Sequence, residues 1–397
     1  MPSIISVALP HFNHPNYTAM PEIKLRNQPF DVAFSPRASV LCAALLTGEI
    51  KAWTYDDAGA TTTAWSARPT KRTARALHFS PDGNDIWMGG KSGIIAQLDA
   101  STGAVKWHAE AHAAPVNRVH VVNPQLVASG DDDGVIKFWD ARAPSQIREY
   151  TQHWDYISDF AYFEDRRLLV ATSGDGHLSA IDIRRNKAEP AHLSADQEDE
   201  LLSVCPIKGG EKFVVGTGLG VLSVWDRSKG WEDGVDRMLG HPASVDAVVA
   251  LSEDIVATGS EDGMVRVIQV QPNSFLGVIA THDEYPIERL ALDRSAKWLA
   301  SVSHDECIKL TDCEGMFEDD SGAEDVEMGD EEEEGDAAMD EDSEDDDSDN
   351  EPAQAAPVDW GSDSDDDKPQ RKKKVRKGQH KVGKERVNEE AGFFDDL

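Results

Sequence analysis

The sequence predicts an all-β fold: a single seven-bladed β-propeller over residues 1–313, followed by a disordered, charged C-terminal tail. Three observations predict it. A glycine-bearing turn between two short apolar runs returns at a nearly constant interval. A bulky residue followed by Asp closes most of the copies. The periodicity then stops near Cys313, where the composition turns abruptly acidic.

The reference copy is 126–140, LVASGDDDGVIKFWD. Leu126, Val127 and Ala128 begin one strand, and Val135, Ile136, Phe138 and Trp139 form the next. Asp133-Gly134 between them supplies the positive φ of a tight hairpin turn. The turn glycine recurs at Gly48, Gly93, Gly134, Gly176, Gly220 and Gly263, with Glu306 in the seventh slot, at intervals of 41 to 45 residues. Five residues after each slot stand Trp53, Leu98, Trp139, Ile181, Trp225, Ile268 and Thr311, and Asp follows at Asp99, Asp140, Asp182, Asp226 and Asp312. A period of this length, with four strands per copy and a Trp-Asp ending, marks a WD-repeat propeller blade. A two-sheet sandwich would show strands without the period.

Each hairpin is preceded by an apolar strand: 30–36, 74–83, 116–122, 157–163, 201–207, 245–251 and 287–293. Outer strands are expected at stretches such as Thr61–Trp65, Val105–Ala109 and Leu276–Ala280. Blade seven supplies only three strands before the chain turns acidic. Its fourth is expected from the N-terminal segment, either Ile4–Leu9 or Ile23–Leu25, because closing the ring removes an exposed edge. The longest insertion, Arg184–Glu200, is polar and contains Pro190; it reads as a surface loop or a partner-binding loop.

In WD-repeat proteins, which the blades resemble, a lead-in His, a Ser or Thr on the second strand, the turn Asp and the Trp form a hydrogen-bonded set. The resemblance implies the full set only in blade three: His112, Ser129, Asp133 and Trp139. Blade six keeps His241, Thr258 and Asp262. Blade four keeps His153 and Asp175, with Thr172 one position out of register. Blade seven keeps His282, Ser301 and Asp305. Blade five has neither the His nor the turn Asp, since Leu219 stands there.

The formal charge of −35 is unevenly placed. Residues 314–367 hold 27 acids and no Lys or Arg, whereas 368–387 hold 10 Lys and Arg. The acidic stretch has too little apolar content to offset the entropy of ordering and is expected to be disordered. Ser343, Ser348, Ser362 and Ser364 within it precede acids and resemble casein-kinase-type acceptors. Trp360 reads as a partner anchor or a solvated bystander. Arg371, Lys372, Lys373, Lys374, Arg376 and Lys377 form a nuclear import signal, an RNA contact, or both. The terminal Phe393-Phe394 pair reads as a docking peptide. Cys42, Cys205, Cys307 and Cys313 show no paired spacing, which suits a reducing compartment. The first residues lack a basic region and no apolar run approaches the ~18 residues of a membrane span, so a soluble intracellular monomer with no membrane partner is expected.

No catalytic, cofactor or metal site emerges. His108 and His112 stand four apart, but the segment reads as a strand running into a turn. Gly90-Lys91-Ser92 echoes a phosphate loop, yet Asp85 stands where its first Gly belongs. Asp131-Asp132-Asp133 has calcium-like chemistry, but the repeat already accounts for Asp133. A non-enzyme with no small-molecule substrate is therefore expected. Trp139-Asp140-Ala141-Arg142 resembles the Trp-Asp-x-Arg box by which some WD-repeat proteins dock on a cullin–RING ligase adaptor, and Ile181-Asp182-Ile183-Arg184 echoes it weakly.

The order of elements (seven degenerate blades, an Asp/Glu/Ser tail, RKKKVRK and the terminal FFDDL) resembles the nucleolar WD repeat-containing protein 55 family, the Jip-five type in fungi. The resemblance implies a nuclear, nucleolar protein-interaction scaffold in ribosomal RNA processing and large-subunit biogenesis. Its implied partners are pre-ribosomal particles and ribosomal RNA. Two rivals remain at this point: a substrate receptor of a cullin–RING ubiquitin ligase, and a histone or chromatin chaperone working through the acidic tail.

Overall fold

The computed structural model describes residues 20–142 and 145–314. They form seven four-stranded antiparallel sheets. Each blade runs inner strand, second strand, hairpin, third strand, outer strand, as in blade three: Val116–Asn123, Leu126–Asp131, Ile136–Asp140, Ser145–Tyr150. The period survives in three dimensions because each copy buries its apolar faces only against its neighbours. Ile136, Phe138 and Tyr150 of blade three, for example, share a cluster with Ile157, Leu169 and Ile181 of blade four. The residues in the Trp slot are chemically varied, yet all seven are buried.

The ring closes through the second of the two N-terminal candidates. Glu22–Lys24 pairs antiparallel with Cys307–Lys309, placing Ile23 opposite Ile308. Two flanking backbone bonds extend the seam: Leu310 N–H to Pro21 O at 2.9 Å and Leu25 N–H to Glu306 O at 2.8 Å. Ile23 is buried with Val32, Leu41, Trp53, Trp298 and Leu310 from blades one and seven. Ile4–Leu9 lies outside the described residues.

The hairpin slot is left-handed in every blade. Gly134 has φ +78°, and Glu306 holds φ +59° despite its side chain. The 184–200 insertion is not wholly loop. His192–Leu193 within it forms the short outer strand of blade four, pairing with Ser179 and Ala180. The expected outer strands lie inside Thr61–Ala67, Val105–Glu110 and Ser274–Thr281.

All seven inner strands share one irregularity. The pairing register of each slips at its second residue, as between Pro29 and Asp31, Ile157 and Asp159, and Ile287 and Arg289. A bulge re-aims the extra side chain. The bulged residues are Phe30, Arg75, Asn117, Ser158, Leu202, Asp246 and Glu288. All seven line one cavity of about 720 Å³, at the end of the central channel where the inner strands begin.

Candidate functional site

In blade three, His112 Nδ1 lies 2.7 Å from Asp131 Oδ2, and its Nε2 lies 2.7 Å from Ser129 Oγ. Trp139 Nε1–H donates to the same Ser129 oxygen at 2.8 Å. With its proton on Nδ1, facing the carboxylate, the imidazole accepts the Ser129 hydroxyl proton at Nε2. The carboxylate is Asp131, not the expected Asp133. Asp131 ends the second strand and is buried, and its Oδ1 also accepts the N–H groups of Asp133 and Val135. Asp133 is at the turn tip and exposed.

The other blades vary the set. His153 reaches Asp175 at 3.1 Å and Ser179 Oγ at 2.9 Å, the latter from the third strand. Thr172 instead accepts a hydrogen bond from Ser158. His282 spans Asp305 at 2.6 Å and Ser301 at 2.7 Å. In blade six His241 reaches Thr258 at 2.9 Å but not Asp262, because Arg266 takes that carboxylate at 2.6 and 3.0 Å. His241 Nδ1 is left buried without a partner, and burial draws the ring down to about 4. In blade five, Trp225 Nε1 is buried and unpartnered, because Val215 stands at the second-strand position where Ser129 accepts the Trp139 N–H in blade three.

The Trp-Asp-x-Arg box is a local fork. Arg142 donates from Nε and Nη2 to Asp140 at 2.9 and 2.7 Å, its side chain 66% exposed. The guanidinium holds Asp140 down at about 2. Arg184 makes the same fork to Asp182 at 2.8 Å, and Arg185 joins at 3.1 Å.

The metal-like clusters disperse. His108 is exposed on an outer strand, while both ring nitrogens of buried His112 are engaged. Asp132 pairs with Arg75 at 3.1 Å, away from Asp131 and its histidine. Among the described residues, no group of three or more His, Cys, Asp or Glu is placed to hold a metal ion. Ser343, Ser348, Ser362, Ser364 and the basic residues 371–377 lie outside the described residues.

What sequence reasoning missed is the interior of the channel. Aligned on the bulge, the next inner-strand position reads Asp31, Ala76, Arg118, Asp159, Ser203, Ala247 and Arg289. Four of these are charged and face one another. Arg289 Nη2 donates to Asp159 at 2.8 Å and its Nε stands 3.7 Å from Asp31. Arg118 Nε stands 3.8 Å from Asp159. Each carboxylate also latches the next blade: Asp31 accepts Leu77 N–H at 2.6 Å, and Asp159 accepts Val204 N–H at 3.2 Å. Burial pushes Asp159 up, but the two guanidiniums outweigh it and hold it below the usual carboxylate range. Burial keeps Asp31, farther from Arg289, raised. Charged residues at a fixed phase in seven apolar strands were the available signal.

One layer deeper, His78 and His120 pack ring on ring, 4.3 Å between centroids. Burial draws His78 down to about 4 and His120 well down too.

Residues 20–316 match the family model described as WDR55. Among curated relatives, the WD repeat-containing protein JIP5 of Cryptococcus neoformans is 59% identical over 76% of this chain and 88% of its own length. The protein of the same name from Laccaria bicolor is 46% identical over 78% and 79%. WD repeat-containing protein 55 of Arabidopsis thaliana is 37% identical over 75% and 84%. None of these names denotes an enzyme. A closed seven-bladed ring that coincides with the matched span, and that identity sustained across three-quarters of the sequence, make this chain a member of the WDR55 family of WD-repeat propellers.

Proposed function

We propose that the chain is a non-enzymatic protein-interaction scaffold of the nucleolus, acting in ribosomal RNA processing and large ribosomal subunit biogenesis. The observation that carries the scaffold reading is how the ring uses its reactive side chains. His112, His153 and His282 are tied into blade clasps, and Arg289 is tied to Asp159 and Asp31. What remains for function is a rigid surface of turns, which suits several partners at once.

The nucleolar part of the reading rests on the tail sequence. A long acidic run ahead of 371–377 couples a nuclear address to phosphate-binding side chains, so RNA contact there would be salt-sensitive. Tagged full-length protein is run on a density gradient of cell extract and the co-migrating RNA identified. Co-migration with large-subunit precursors supports the reading; absence from every precursor particle overturns it.

The ligase reading draws support from the exposed Arg142 fork. The same fork at Arg184, however, needs no partner to account for it. Arg142→Ala should abolish recovery of a ligase adaptor if the box is used.

A further inference from the structure

We propose that the acidic half of the channel mouth receives a lysine or arginine side chain of a basic polypeptide partner. The inference rests on the scaffold reading and names the chemistry of one partner site.

The lining of the mouth is divided by charge. On one wall stand Arg75 and Arg118. On the other stand Asp246 and Glu288, joined by Asp199, Glu200 and Glu261 from the neighbouring turns. Arg75 is occupied by Asp132 and Asn117. The carboxylates opposite have no lysine or arginine partner among the described residues. Asp246 accepts the Ser244 hydroxyl, at 2.9 Å, and Glu200 the Tyr156 hydroxyl, at 2.9 Å. Asp199 accepts the Leu219 N–H at 3.1 Å, and Glu261 takes a long 3.5 Å bond from Ser244. Glu288 meets His304. No lysine or arginine pairs with any of the five among the described residues. Burial lifts Asp246 to about 6; Glu288 and Glu261 add to the rise, while the Ser244 hydroxyl and Arg118 only partly offset it.

Shape and polarity fit the same guest. The cavity, about 720 Å³, is walled by Ile157, Leu202, Leu219 and Pro286, apolar surface for the methylene stem of a long basic side chain. Leu219 is 76% exposed beside it. Opposite, Arg118 meets Asp159 only at 3.8 Å. An acidic peptide or a nucleic acid would set its own charge against five carboxylates.

The test is photocrosslinking of a short Arg-Gly repeat peptide carrying a benzophenone to the full chain, with adducts mapped by mass spectrometry. The expected result is adducts at Leu202 and Leu219. They should fall about tenfold in Asp246→Asn/Glu288→Gln and persist in Glu164→Gln, on an exposed turn elsewhere. Thermal melts of the variants separate loss of the site from loss of the fold. Adducts confined to the acidic tail, or equal loss in the Glu164→Gln control, would overturn the proposal. So would a rise in mouth adducts when the basic residues of 371–377 are neutralised, because the occupant would then be the chain's own segment. Failure here with intact co-migration on precursor particles would sink the mouth site alone; loss of co-migration with adducts intact would sink the scaffold's place in ribosome assembly instead.

Discussion

Arg289→Met should destabilise the ring more than any single clasp substitution. The guanidinium lies between Asp159 and Asp31, whose side chains are each 4% exposed. Met keeps much of the stem's packing but leaves two carboxylates in the channel with only Arg118 near them. Removing one partner of a buried pair costs about 3–5 kcal/mol. For a domain of this size that is a fall of roughly 5–8 °C in melting temperature. The assay is a thermal melt of the full chain followed by far-UV circular dichroism. Asp159→Asn in the Arg289→Met background should recover part of the loss, with a coupling of about 1–3 kcal/mol between the two sites. Arg289→Lys should fall between, since an ammonium cannot fork to two carboxylates. A melt of Arg289→Met within about 2 °C of the parent would refute the reasoning, because it would mean the charges are already hydrated in the channel.

Ile23→Asp puts a carboxylate into the closing seam against Ile308 and Trp298. It should cost about 4 kcal/mol by the same melt, whereas Lys24→Asp beside it, exposed, should change little. Asp131→Asn should cost about 2 kcal/mol and Asp133→Asn less than about 0.5 kcal/mol; the reverse order would restore Asp133 to the clasp. His78 is held near 4, below its ordinary value of 6.5, so the unfolded chain takes the proton first. Its contribution is therefore complete above about pH 6.5 and is lost as pH falls toward 4, up to about 3 kcal/mol. His120 acts in the same direction, and denaturant titrations across that window should flatten in His78→Gln.

The seven-fold repeat and its closure were legible in the sequence because they rest on local chemistry: a left-handed turn residue, an apolar alternation, and an N-terminal strand matching a blade short of its edge. The choice among Asp131, Asp132 and Asp133 was not. Three identical side chains in a row carry no signal of which one ends the strand and turns inward. Nor could the sequence show Arg266 taking Asp262 from His241, since the competing pair lies along the hairpin rather than across the blade. In blade four the hydroxyl was sought on the second strand, but Ser179 of the third stands where the imidazole can reach it. The channel charges were harder still. Asp159 and Arg289 are 130 residues apart in sequence, and only the closed ring makes them neighbours.

The closing seam also sets an order in time. Ile23 leaves the ribosome early, and its partner Ile308 about 285 residues later. At 5–20 residues per second that is a wait of roughly 15 to 60 s. Throughout it, a short apolar strand and the unpaired edge of each newest blade stand open to other chains. The last blade can be finished only by a strand made before all seven blades, so the nascent propeller passes through a period when anything that shields an apolar strand decides whether it closes on itself or on a neighbour.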